Sequence, residues 1–277
     1  VTGSNRSNIL GNLGVLGDAN LFLITPNGII FGKNASINDA GTFFATTADS
    51  FVFENGLQFS ANNPQAAPLL SVSVTPGLQF GANPKDISSS ADLTVGKNLT
   101  LAAGNINLQG DLTLEAKDTV NVSKILAPGN SLTINAGNKI ETTGEINTSI
   151  NGGKAGDINL TSGAGGIDTS RGAVTAISSD GDGGNITLNA TGDIFTGDVI
   201  SFITTGGIGK AGDITIISEN GKIDTTAGEE QGIRSTGFRN LTNPDEGGNI
   251  ELKASGDITT AYVGSYIEQD GIGNGGD

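Results

Sequence analysis

From Gly153 onward the chain alternates short apolar pairs with Gly, Asn and Asp on a fixed beat. GKAGDINL at 153–160, GDGGNITL at 181–188, GKAGDITI at 209–216 and DEGGNIEL at 245–252 repeat one phrase, and GNGGD at 273–277 begins it again. The residue before each apolar pair is Asp157, Asn185, Asp213, Asn249 and Asp277, in steps of 28, 28, 36 and 28 residues. A fixed period of this size predicts stacked units, each burying its apolar face only against its neighbours.

Within one unit the pattern predicts three strands. The first carries Ile158/Leu160, Ile186/Leu188, Ile214/Ile216 or Ile250/Leu252, and a period of two puts both members of a pair on one face. The second is Ile-x-Thr: Ile167/Thr169, Ile194/Thr196, Ile223/Thr225, Ile258/Thr260. The third is expected to centre on Ile177, Ile203, Ile233 and Ile267, and turn residues separate all three. Three short strands per unit describe a coil of a three-sided parallel β-helix, with equivalent strands ~4.8 Å apart in successive coils. The long third step predicts a loop near Phe238–Glu246. Lys154, Asp182, Lys210 and Glu246 stand three residues before Asp157, Asn185, Asp213 and Asn249. Their alternating signs predict coil-to-coil attraction along a charge ladder.

Upstream the pattern loosens. NLTLAA at 98–103, DLTLEA at 111–116 and SLTINA at 131–136 read as earlier versions of the first strand, so coils are expected to widen from about 20 residues to about 28. GNKIETT at 137–143 resembles the later Ile-x-Thr strand. DISSSADLTVG at 87–97 reads as a polar joint without a break in the helix. Residues 1–86 differ: eight of the eleven Phe lie before Gly81. LFLITPNGIIFG at 21–32 reads as strand, turn, strand, with Pro26 presetting φ and Asn27-Gly28 tolerating positive φ. Residues 41–60 and 69–81 read as further strands, joined by the Pro-containing ANNPQAAP at 61–68.

Residues 1–50, with Thr25-Pro26-Asn27-Gly28-Ile29 between two apolar strands, resemble the later part of the secretion domain of filamentous-haemagglutinin-type exoproteins of two-partner secretion. The wording is most similar to cyanobacterial members. The family's Asn-Pro-Asn-Gly-Ile phrase has Thr25 at its first position here. The resemblance implies a right-handed β-helix that crosses an outer-membrane β-barrel transporter unfolded and folds outside the cell. It also implies that Thr25, Pro26, Asn27, Gly28 and Ile29 contact that transporter, beyond forming a turn. The domain reading is a secretion-domain portion over 1–86 and a continuous β-helix repeat region over 87–277, both expected to be an internal piece of a longer protein.

Composition narrows the chemistry. A net charge of −15 leaves no basic patch to neutralise phosphates, so neither nucleic acid nor insertion in an anionic membrane is expected. With no Cys and no His, nucleophilic triads built on either are impossible. GIGNGGD at 271–277 falls short of the calcium nonapeptide, and no metal or other cofactor is expected. Some β-helices degrade polysaccharides with clustered Asp and Arg. Candidates are Asp157, Asp182, Asp213, Asp224 and Asp257 with Arg171, Arg234 and Arg239, but most of these Asp sit beside Gly at coil corners, where a turn role explains them. The expectation is a secreted, non-enzymatic, adhesin-like exoprotein whose repeats form a rigid stalk. Its partners would be the transporter and a cell-surface glycan or protein. The alternatives are a polysaccharide-degrading enzyme and a stick delivering a C-terminal toxin.

Overall fold

The computed structural model describes residues 4–53, 57–63, 77–204, 209–228, 232–238 and 247–268. Among them every regular element is a strand, and three long parallel sheets run along the molecule. A ten-stranded sheet runs from Ser7–Ile9 to Val263–Glu268, a nine-stranded sheet from Leu21–Ile24 to Ile258–Thr259, and a seven-stranded sheet from Leu93–Val95 to Ile250–Ala254. The chain visits them in turn. Ile186–Ala190 lies in the seven-stranded sheet, Ile194–Thr196 in the nine-stranded, Val199–Ile203 in the ten-stranded, and Ile214–Ser218 returns to the first. Each circuit is one coil of a three-sided parallel β-helix, as the repeat predicts.

Register follows the apolar alternation. Leu93, Leu114, Ile134, Leu160, Leu188, Ile216 and Leu252 form one inward column, with steps of 21, 20, 26, 28, 28 and 36 residues. The coils therefore widen as expected. Ile140, Ile167, Ile194 and Ile223 form the second column, all buried. Every buried inward side chain is removed from water only because coils lie above and below it. In the last described coil Ile250 and Leu252 are half-buried and Ile258 is exposed.

Three sequence readings need correction. The third inward column is Ile106, Ile125, Ile146, Val174, Val199 and Ile233. Ile177 lies three positions after Val174, an odd number, so the pleat turns it outward beside Phe202. NLTLAA belongs to the nine-stranded sheet, where Leu99 pairs with Val120. The seven-stranded counterpart of DLTLEA is Leu93–Val95. The supposed polar joint thus holds two strands, Ile87–Ser89 and Leu93–Val95, with Ile87, Leu93 and Val95 buried. Ile29–Phe31 pairs with Ile87–Ser89 and Phe43–Thr46 with Leu99–Ala102, so the sheets run without interruption through this stretch.

Glycine and the Asp/Asn column explain each other at one corner. A Cβ on Gly184 would lie 2.1 Å from the Gly156 carbonyl oxygen, and one on Gly212 would lie 2.2 Å from that of Gly184. Stacking at sheet spacing leaves no room there for any other residue. The following residue then links the coils. The Asn185 N–H donates to Asp157 Oδ1 (2.8 Å), the Asp213 N–H to Asn185 Oδ1 (2.9 Å) and the Asn249 N–H to Asp213 Oδ1 (2.7 Å). What recurs is an acceptor oxygen, which Asp and Asn both supply. Lys154 does not reach across coils: it pairs with Asp157 in its own coil (3.2 Å), while Asp182 Oδ1 accepts the backbone N–H of Lys210 (2.9 Å). Glu246 and the loop expected before it lie outside the described residues.

One excursion leaves the helix after Phe43–Thr46. Ser50–Val52 pairs antiparallel with both Gln58–Ser60 and Gly77–Gln79. The expected strand at 69–76 falls outside the described residues. This small sheet lies on the outer surface of the nine-stranded sheet and builds a second apolar cluster of Ile24, Phe44, Phe51 and Ala61, joined by Phe22, Phe53, Phe59 and Leu78. Phe44 stacks on Phe22 (5.7 Å between centroids) and meets Phe51 edge-on (5.5 Å). The sequence carries the cause: in LFLI and FFAT the alternation is lost, because those strands are covered on both faces.

Candidate functional site

The Thr25–Ile29 turn joins the nine-stranded sheet to the ten-stranded sheet at a corner of the second coil. Thr25 is fully buried. Its N–H donates to the Thr46 carbonyl (3.0 Å), its carbonyl accepts the Gly28 N–H (3.1 Å), and its Oγ1 accepts from the Ser7 hydroxyl (3.3 Å). Pro26 and Asn27 occupy the two central positions of this β-turn. Gly28 has φ +103°, and its carbonyl accepts the Ser7 N–H (2.9 Å). That φ requires glycine, and the Asp86 carbonyl oxygen, 3.1 Å from where a Cβ would stand, closes the space. Ile29 donates its N–H to Asp86 and is buried in the main core.

The five residues therefore divide. Thr25, Gly28 and Ile29 are taken up by the fold, whereas the half-buried Pro26 and Asn27 present side chains at the surface. Two cations frame the turn. The Lys85 and Arg6 Cβ atoms lie 3.7 and 3.9 Å from the Gly28 Cβ position, and both residues are exposed. The sequence does not reveal this pair. It forms because the strand after the turn pairs with Ser7–Ile9 on one side and Ile87–Ser89 on the other.

The carboxylates considered for acid–base work are placed as follows. Asp157, Asp182 and Asp213 each accept a backbone N–H from the next coil. Asp224 Oδ1 accepts the Thr226 hydroxyl (2.7 Å) and N–H (3.0 Å), and these bonds hold its carboxyl below the ordinary value. Asp257 is exposed. Arg171 pairs with Glu141 (3.2 Å), Arg234 lies over the rings of Phe202 and Tyr266, and Arg239 is outside the described residues. Among the described residues no group of three His, Cys, Asp or Glu converges as metal ligands would. No helix there is long and apolar enough to cross a membrane.

In comparison with known families, residues 1–164 fit the model of the TPS secretion domain, the secretion domain of two-partner secretion. The match takes in the turn, the antiparallel excursion and the first coils beyond it. No curated protein and no solved structure matches the chain.

Proposed function

The chain belongs to the TPS secretion-domain family, as a two-partner secretion substrate exported from the cell through a partner outer-membrane transporter; from that premise we propose that it is a non-enzymatic, haemagglutinin-like adhesive exoprotein. Pro26 and Asn27, framed by Arg6 and Lys85, are the part of the turn that the transporter reads. The coils beyond form a rigid stalk that holds adhesive surfaces away from the cell and recognises a cell-surface glycan or protein.

The observation that carries this reading is the division within the turn. A purely structural turn needs Thr25, Gly28 and Ile29, and these are buried. Pro26 and Asn27 are only half-buried, so part of their side-chain surface is open to a partner. The adhesive role draws support from the repetition, which gives a long stiff surface, and from carboxylates occupied in holding coils together.

The test is co-expression of the chain, behind an export signal, with its transporter. Pro26→Ala/Asn27→Ala and Thr187→Ala, on the outer surface of the seven-stranded sheet, are compared with the parent for protein in the medium. The proposal expects the turn variant to be retained at unchanged melting temperature and the Thr187 variant to be exported normally. Normal export of a folded turn variant would remove the recognition role. Adhesion of the purified parent to whole cells tests the second half separately, and absence of saturable adhesion would reduce the coils to a stalk.

A further inference from the structure

One outward column of the nine-stranded sheet changes character along its length. Phe44, Thr100, Asn121, Glu141, Asp168 and Phe195 are successive register partners. At sheet spacing they span ~24 Å. Two hollows lie along this column. The first, of about 500 Å³, has Leu78 and Phe80 of the excursion as a wall and Thr100, Asn121 and Thr143 on its floor. The second, of about 410 Å³, is lined by Asp168, Phe195 and Asn220. Glu141 and Asp168, adjacent in register, join them.

We infer that this trough binds a neutral polysaccharide laid along the coils. The inference supplies a ligand class for the adhesive role proposed above and rests on that reading for its setting. Thr100, Asn121 and Thr143 offer side-chain donors and acceptors with no partner among the described residues, which suits hydroxyl groups. Half-buried Phe80 and Phe195, the latter with the Lys222 ammonium over its ring, supply apolar ring surface towards the two ends, which suits the C–H faces of sugar rings.

Charge and backbone bonding exclude the other occupants. Glu141 is shared by Lys139 (3.1 Å) and Arg171 (3.2 Å) and has Asp168 as its register partner, so two carboxylates balance the two cations in the middle of the trough. At the far end Asp193 stands with Lys222, whose ammonium lies 4.8 Å from the Phe195 ring centre, and the net charge of −15 disfavours an anionic polymer along the whole trough. A peptide strand would need a sheet edge. On this face the strands are paired on both sides, so an added chain would leave its own backbone unbonded. A sugar chain brings no such obligation.

The experiment is affinity electrophoresis of the full chain through gels holding dextran, xyloglucan, galactomannan or a soluble β-glucan, with alginate and polygalacturonate as anionic counterparts. Retardation by at least one neutral polymer and by neither anionic one is expected. Asn121→Ala and Phe195→Ala should each weaken it about 5- to 10-fold, the loss of one hydrogen bond or one ring contact. Thr187→Ala, on another face, should not. No retardation by any neutral polymer, retardation by the anionic polymers alone, or parent-like binding by both trough variants, each shown folded by circular dichroism, would overturn the inference. Because cell adhesion is scored separately, parent adhesion without retardation removes the trough and leaves the adhesive reading standing.

Discussion

Phe44 and Phe195 stand in the same outward column of the same sheet, yet their surroundings differ. Phe44 is 4% exposed, stacked on Phe22 and roofed by the antiparallel excursion. Phe195 is half-buried, with the Lys222 ammonium 4.8 Å from its ring centre and no second layer among the described residues. The helix is thus one construction with two finishes. Inward columns are buried alike in the coils that have a neighbour above and below. The outward column of the nine-stranded sheet is core in the early coils and surface in the later ones. The roofed section lies within the stretch that matches the secretion domain, and the bare section runs on beyond it.

If inward positions are equivalent, a charge in either region should be ruinous. Ile214→Asp in the bare coils and Phe43→Asp in the roofed strand both replace side chains that are 0% exposed. Each should cost several kcal/mol, about 4 or more, and lose the cooperative melt followed by circular dichroism. Retention of the melt by one of them would show that its column does not face inward. A smaller effect is expected at the corners. Asn185→Ala removes the oxygen that accepts the Asp213 N–H, and by analogy with helix caps should cost about 1 kcal/mol. Asn185→Asp should restore it, since the column needs an acceptor of either charge. Failure of that rescue would show that the column needs a neutral residue between Asp157 and Asp213. Smallest of all is Asn159→Asp, on the outward side of the seven-stranded sheet, expected within about 0.5 kcal/mol of the parent by urea titration.

Most of the solenoid is legible in the sequence because its physics is local. Two residues of period two choose a face, and a fixed step stacks the faces. Ile177 shows where this fails. Ile was chosen by identity, but Val174 and Val199 hold the inward place, and parity along the strand decides orientation. The Asp/Asn column was visible as a column, but its chemistry was not. The partner of each side chain is a backbone N–H 28 or 36 residues away, which no residue name records. The antiparallel roof was hidden for a related reason: Phe51 pairs with Leu78 across 27 residues that carry no repeat. Its signature was present in Phe22 and Phe44, apolar residues at positions the alternation assigns to solvent. At the turn, Pro26, Asn27 and Gly28 announce their geometry in sequence, whereas Arg6 and Lys85 reach it only through strand pairing.

The contrast between the two finishes is tested most directly by the unfolding free energies of Phe44→Ala and Phe195→Ala, measured side by side by urea denaturation. Removal of a roofed ring should cost about 3–5 kcal/mol. Removal of the open one should cost about 1 kcal/mol or less, the worth of an exposed cation–π contact. Equal losses at the two positions would contradict the account: they would mean that the later coils are covered as the early ones are, or that the antiparallel sheet contributes no core.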